Sequence, residues 1–269
     1  EQELALKKKG KKIGKLVMGP DCGVGTIKGT CLAAGSIYNN GSVGIVGASG
    51  SGAQEIGCIV ERCGLGISEL IGTGGRDLFP EIGGIMMIEG MKRLDRDNVT
   101  KVIVLVSKLA DENVMNNVLL EAEKMNKPVV SIFLGCNPNL YLKYSLEQCA
   151  LKAVEIITGK NLKYGIDENE LEIICNEYTN KLGTQQKYLR GLYCGGTFAE
   201  EGIIYLNKSF PKTKFYTNLN NKYAEKLLDS HISKENAILD LGAEDFTSEA
   251  PHPVFDPLLR ARRAKIELD

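Results

Sequence analysis

Between residue 13 and about residue 157, short apolar runs alternate with longer amphipathic ones, the pattern of strands separated by helices. Leu16–Met18 predicts a short strand that leads into the turn Gly19-Pro20-Asp21-Cys22-Gly23. Val43–Val46 predicts a second strand, followed by glycines and serines and then a helical run from about Ala53 to Arg62. Leu70–Gly72 predicts a third, ending in Thr73-Gly74-Gly75-Arg76-Asp77 and followed by a run rich in Ile and Met that reaches Leu94. Val102–Val106 is apolar throughout and mostly β-branched, as a buried strand requires. Asp111 then offers an N-cap for a helix carrying Val114, Val118, Ala122 and Met125 on one stripe. Pro128 precedes a further strand, Val129–Leu134. Strands joined by helical crossovers of about 10–15 residues form right-handed βαβ units and hence a parallel sheet. Their continuous apolar character requires cover on both faces. The fold class is α/β, with parallel sheets flanked by helices.

Residues 159–187 break this rhythm. They are polar and carry one helical stripe, Leu171, Ile174, Cys175, Tyr178 and Leu182, which reads as a helical linker. From residue 188 the strand-then-glycine signature returns. Val46–Glu55 and Leu192–Glu201 each run from a strand end through small residues to Gly50 or Gly196, then a hydroxyl residue, Ser51 or Thr197, then an acid, Glu55 or Glu201. Thr73–Leu78 and Leu241–Phe246 form a second matched pair, with Asp three residues after the glycine. Two matched signatures in the same order imply a duplicated βαβ domain.

The 269 residues are 43% apolar and 25% charged, enough for one large domain or two smaller ones. With 34 acidic and 33 basic groups the formal net charge is −1, so no electrostatic case exists for nucleic acid or an anionic membrane. Apolar runs such as Val102–Val106 fall far short of the ~20 residues that span a bilayer. Eight cysteines without a CxxC pair indicate neither a disulfide scaffold nor a zinc site; they read as buried thiols in a reducing, cytoplasmic compartment. The basic stretch Lys7-Lys8-Lys9-Gly10-Lys11-Lys12 reads as a solvated helix end. Residue 1 is Glu, and Arg260–Asp269 looks like a helix without a cap, so the chain reads as a fragment.

Thirty glycines are the informative excess. A parallel strand's end, a glycine turn and a helix start make an anion site, where free amides and the helix dipole point the same way. Ser49, Gly50 and Ser51 form the first such loop. Gly74 and Gly75 form the second, beyond the same strand ends. Arg76 there supplies a planar fork suited to phosphate or carboxylate. The competing reading is that these glycines only allow tight packing and that Arg76 pairs with Asp77 or Glu81. A dinucleotide fingerprint fails because Glu55 stands where its third glycine belongs, and no GxxxxGK[ST] run is present. Gly47-Ala48-Ser49-Gly50-Ser51 lacks the closing glycine of a nucleophile elbow. His252, between Pro251 and Pro253, reads as a loop cap.

Gly19–Gly23, Val43–Gly50, Gly72–Asp77 and Pro128–Gly135 together resemble the succinyl-CoA synthetase α-subunit superfamily, in particular its FdrA branch of acyl-CoA synthetases. Leu239–Gly242 and Pro251–Pro257 carry the same resemblance. It implies that residues 1–40 are the tail of a CoA-binding Rossmann-like domain. Residues 41–158 would be a flavodoxin-like ligase domain, 159–187 a linker, and 188–269 the start of a second ligase-type domain, the whole truncated at both ends. In the synthetases a phosphohistidine carries phosphate, and a helix N-terminus faces it; Ser49–Ser51 take that place here. The family's histidine falls just after the strand ending at Gly135, where this chain runs from Cys136 to Lys143 without one. The acid that holds that histidine is replaced by Ser107-Lys108. Both partners missing together implies that the phosphohistidine step has been dropped.

The resemblance thus implies CoA or another phosphate-bearing, anionic small molecule as ligand and no metal. It would be bound by Asp21, Cys22, Gly23, Ser49, Gly50, Ser51, Gly74 and Gly75, and in the second copy by Gly195, Gly196 and Thr197. Arg76, Asp77 and Lys108 are the catalytic candidates. FdrA-type proteins are also linked to carbamoyl transfer with oxamate in purine-ureide breakdown, which needs no phosphohistidine. A scaffold subunit is the non-enzymatic alternative. Association is expected, as a homo-oligomer or with other subunits of a pathway.

Overall fold

The computed structural model describes residues 1–108, 110–135, 145–248 and 250–268. It divides into two units, Glu1–Leu162 and Lys163–Asp269, each an α/β layer with a mostly parallel central sheet flanked by helices.

In the first unit, helix α1 (Gln2–Lys12) precedes strands β1 (Val24–Ile27) and β2 (Thr30–Ala33). The parallel core follows: β3 (Asn40–Gly47), α2 (Gly50–Arg62), β4 (Ile67–Gly72), α3 (Ile85–Arg96), β5 (Val102–Ser107), α4 (Glu112–Ala122), β6 (Val129–Phe133) and α5 (Leu146–Thr158). The sheet order is β2-β1-β4-β3-β5-β6. β3 through β6 run parallel, while β1 lies antiparallel to β4 and to β2. β5 is buried at every position, as its unbroken apolar run requires when helices cover both faces. Val114 and Val118 of α4 pack with Leu105, Ile103 and Met91 in the core, and Ala122 and Met125 lie against its margin. The Asp111 side chain caps α4 by accepting from the amides of Asn113 and Val114, both at 3.0 Å.

The expected strand at Leu16–Met18 is not formed. These residues are irregular backbone whose Leu16 and Met18 side chains pack against the core. The strand pairing is made instead by β1 and β2, joined by Lys28-Gly29, both with positive φ (49° and 73°). That geometry gives the tight two-residue hairpin whose twist suits antiparallel strands. The cysteines also differ from expectation: of the seven described only Cys149 is buried, and Cys175 is exposed.

The second unit opens with α6 (Glu168–Thr179), capped by Asp167 and with no buried residue, so its apolar stripe faces solvent. Its sheet contains β7 (Arg190–Tyr193), β8 (Phe215–Thr217), β9 (Glu225–Lys226) and β10 (Asn236–Asp240) in the order β7-β10-β8-β9, all parallel. Helices α7 (Gly196–Ser209), α8 (Glu244–Thr247) and α9 (Pro257–Leu268) complete it. The matched signatures sit at corresponding places. β3 and β7 each feed a helix through glycine, and β4 and β10 are their direct parallel neighbours. The longer interval between signatures in the second unit is filled by β8 and β9.

Candidate functional site

The carboxyl ends of β3 and β4 bring three loops together. The first starts α2. Ser49 is extended (φ −134°), buried, and its hydroxyl accepts from the Gly52 amide at 3.1 Å. The amides of Gly50 and Ser51 open the helix, where no intrahelical acceptor exists. Gly50 is exposed, and a Cβ built on it would meet nothing nearer than a Val24 methyl at 3.5 Å. The helix end is thus uncovered at the point where its dipole is positive.

The second loop, after β4, is tied to the first: the Thr73 amide donates to the Gly47 carbonyl at 2.8 Å. Gly74 has φ +89°, and a Cβ there would lie 2.1 Å from the Pro20 carbonyl oxygen, so glycine is required on both counts. The third loop, residues 19–23, rests directly on this one. A Cβ on Gly72 would strike the Cys22 sulfur at 2.3 Å, and one on Gly75 would approach the Asp21 carboxylate at 3.1 Å. Residues 19–22 thus lie against Gly72, Gly74 and Gly75, and Gly50 is nearest to Val24, the residue that follows the 19–23 loop.

Arg76 follows Gly75 but pairs with neither Asp77 nor Glu81. Its Nε donates to the Glu3 carboxylate at 2.9 Å, and its side chain is 49% exposed. The hydrogen bond to Glu3 raises the guanidinium, and Asp21 adds to this field. Burial works to raise Glu3, but hydrogen bonds from Lys7 and Arg76 outweigh it and hold the carboxyl below its ordinary value. A depressed carboxyl stabilises the fold above its unfolded value and loses that contribution as pH falls through the folded one. Stability should therefore decline below about pH 4.5, the ordinary carboxyl value. Arg76→Ala should move the start of acid unfolding, followed by circular dichroism, to higher pH; an unmoved acid limb would contradict this.

Asp77 is corrected from a catalytic candidate to a structural residue. It is 0% exposed, and Lys7 Nζ donates to its Oδ1 at 2.8 Å. The same carboxylate accepts from the amides of Met86 at 3.3 Å and Met87 at 2.8 Å, so it caps the start of α3 and faces no solvent. Lys7 is the residue missed in the sequence. Read there as part of a solvated helix end, it is wholly buried, donates to the Thr73 carbonyl at 2.9 Å and pairs with Glu3 at 2.8 Å.

Lys108 follows β5 at the same end of the sheet, half-buried, and among the described residues it forms no ion pair within 4.0 Å. The Ala48 amide donates to Val106 at 2.9 Å, which joins this strand end to the first glycine loop. The stretch 136–143, where the resemblance places a histidine, lies outside the described residues apart from its sequence. The chain's two histidines are both in the second unit. His252 accepts from the Val254 amide at 3.2 Å through Nδ1, the loop-cap role expected of it. In that unit Gly195 is extended at the start of α7 and makes no side-chain cap. Gly196 and Thr197 are buried, in contrast to Gly50. Among the described residues no three His, Cys, Asp or Glu side chains could hold a metal ion, and no helix is long and apolar enough to cross a membrane.

The start of α2, the 72–77 loop and Lys108 fall within residues 38–135, which match the CoA binding domain family; the 19–23 loop lies outside that match. The match covers the parallel strands β3 to β6, and it includes neither α1 nor the β1–β2 hairpin. Over 269 residues the chain is 39% identical to the uncharacterized protein YahF of Escherichia coli, a span of 98% of this chain and 52% of that protein. It is 33% identical over 130 residues to subunit alpha 2 of the ADP-forming succinate–CoA ligase of Archaeoglobus fulgidus, covering 46% of this chain and 43% of the relative. The alpha subunits of succinyl-CoA ligases are thus homologous to part of this chain. The chain spans about half the length of these curated relatives. Among solved structures, ATP citrate lyase from Methanothrix soehngenii in complex with citrate and coenzyme A aligns with a TM-score of 0.43, at 20% identity over 70% of this chain and 38% of the lyase.

Proposed function

We propose that the first unit binds a phosphate-bearing acyl or CoA-linked substrate at the α2 N-terminus. In this reading the protein is an FdrA-type, succinyl-CoA ligase-like enzyme that works without a phosphohistidine. The observation that carries it is the open start of α2: Ser49 is buried and capping, while Gly50 is exposed, with only a Val24 methyl near its Cβ position. The CoA binding domain match and the ligase relatives support the same ligand class.

Chemically, the amides of Gly50 and Ser51 take up negative charge on a phosphate oxygen as the acyl carbon–oxygen bond breaks and a carbon–sulfur bond forms. The departing phosphate keeps the electron pair, and the thiol proton passes to solvent. Lys108 adds a positive charge at this end, and Arg76 lies at its edge, held by Glu3. Carbamoyl transfer is the second reading. The specific observation in its favour is that residues 1–162 contain no histidine, while Lys108 stands where a histidine-holding acid is expected. There the oxamate nitrogen would attack the carbamoyl carbon, releasing phosphate from the same cradle. Either activity is proposed together with association, as a homo-oligomer or with further subunits.

Calorimetric titration with acetyl phosphate, carbamoyl phosphate and CoA in turn is the test. Saturable binding of at least one is expected, and heats of dilution alone for all three would overturn the proposal. Phosphate release that requires both oxamate and carbamoyl phosphate would select the second reading. Release unchanged by Arg76→Ala and Lys108→Ala would remove those two residues from the site.

A further inference from the structure

A cavity of about 530 Å³ lies at the other end of the first unit's sheet. It opens to solvent and is lined by the segment after α1, the β1–β2 turn, β4 at Glu69 and the last turns of α3. Because α3 returns the chain from the carboxyl end of β4 to the amino end of β5, this cavity and the α2 crevice are at opposite ends of shared elements. Its volume falls within the roughly 300–1,000 Å³ of small-molecule sites.

The charges around it are unevenly engaged. Asp97 is occupied locally, accepting from the Thr100 amide at 2.9 Å and hydroxyl at 2.6 Å. Glu89 pairs with Lys11 at 3.6 Å, and Lys92 with Glu121 at 2.8 Å. By contrast Lys15, Lys28, Arg93 and Arg96 line the cavity and, among the described residues, have no ion-pair partner within 4.0 Å. The negative end of the α3 dipole would oppose an anion here, but Lys127 Nζ donates to the Leu94 carbonyl at 2.7 Å and to that of Asp97. Glu69 of β4 lines the cavity beside Glu89 and Asp97, and it accepts the main-chain N–H of Lys28. Burial pushes its carboxyl up and Asp97 adds to this, against the pull of the Lys28 amide and of the Arg93 and Lys28 charges.

We propose that this cavity is a second binding site, for a small organic molecule with a phosphate or similarly multiply charged group at one end and an N–H or O–H donor at the other. Lys15, Lys28, Arg93 and Arg96 receive the anionic end, and Arg93 and Arg96 grip it with planar forks. Glu69 accepts from the donor end. The site is separate from the α2 crevice and does not depend on how that crevice is read.

The test is calorimetric titration of the chain with ADP, pyrophosphate and adenosine at about 0.15 M ionic strength, where unspecific surface attraction is screened within ~8 Å. ADP is expected to bind saturably, at least tenfold more tightly than pyrophosphate or adenosine. The double variant Arg93→Gln/Arg96→Gln should weaken ADP tenfold or more. Lys15→Glu, at an exposed position, should weaken it as well, with folding of both variants verified by circular dichroism. Gly50→Asp, which acts on the α2 crevice alone, should leave ADP affinity unchanged. The proposal is overturned by absence of saturable ADP binding, by pyrophosphate binding as tightly as ADP, or by binding lost in Gly50→Asp yet retained in the arginine double variant.

Discussion

Replacing Asp77 with alanine is expected to destabilise the first unit by about 3–5 kcal/mol, the cost of removing one partner from a buried ion pair. The reason is cumulative. Lys7 would be left wholly buried with only Glu3 as counter-charge, and the amides of Met86 and Met87 would lose the acceptor that caps α3. Asp77→Asn keeps an oxygen for those amides and should lose distinctly less. Urea unfolding followed by circular dichroism is the measurement. A shift in ΔG below about 1 kcal/mol, the worth of an ordinary exposed pair, would show that the buried triad does not act as described.

Gly50→Asp is expected to leave the fold intact and weaken anion binding at the α2 crevice tenfold or more. The position is roomy, since its Cβ would sit 3.5 Å from the nearest Val24 methyl. A carboxylate in the first turn of a helix is itself worth about 0.3–1 kcal/mol of stability through the dipole. The same carboxylate occupies the place of the ligand's oxygens. Two negative charges ~4 Å apart repel by about 1 kcal/mol in water and about 4 kcal/mol at an effective dielectric of 20. Affinity for whichever of acetyl phosphate, carbamoyl phosphate and CoA binds at the α2 crevice of the parent chain should therefore fall on the order of tenfold or more, with no drop in melting temperature. Gly50→Asn, with equal bulk and no charge, should change it far less. Equal affinity in Gly50→Asp and the parent would remove the helix start from the binding site.

The parallel core was legible because each of its strands is a short apolar run followed by its own stop signal. β3, β4, β5 and β6 fall on the runs that begin near Val43, Leu70, Val102 and Val129. The cap at Asp111 was readable for the same local reason. What escaped was set by distance. Lys7 looks like one lysine among five in a wet segment, and nothing within its helix shows that its counter-charge comes from Asp77, 70 positions on. The strands at Val24–Ile27 and Thr30–Ala33 are only four residues each, too short to show a period, and their defining feature is the backbone of Lys28-Gly29. At the crevice, the glycine loops could be found from composition. That the 19–23 loop lies across Gly72 and Gly74 was not visible, because it depends on backbone approach. The cavity beneath α3 assembles charges from four separate segments and leaves no linear signature.

The Pro20 carbonyl lies where a Cβ of residue 74 would stand, so main chain packs on main chain at this crossing. Backbone packed this closely leaves the rim little room to shift, and it is expected to keep its shape when a ligand arrives. Little ordering entropy is then left to spend at the moment of association. Encounter should proceed at a rate governed by diffusion and charge, without a slow closing phase in stopped-flow traces.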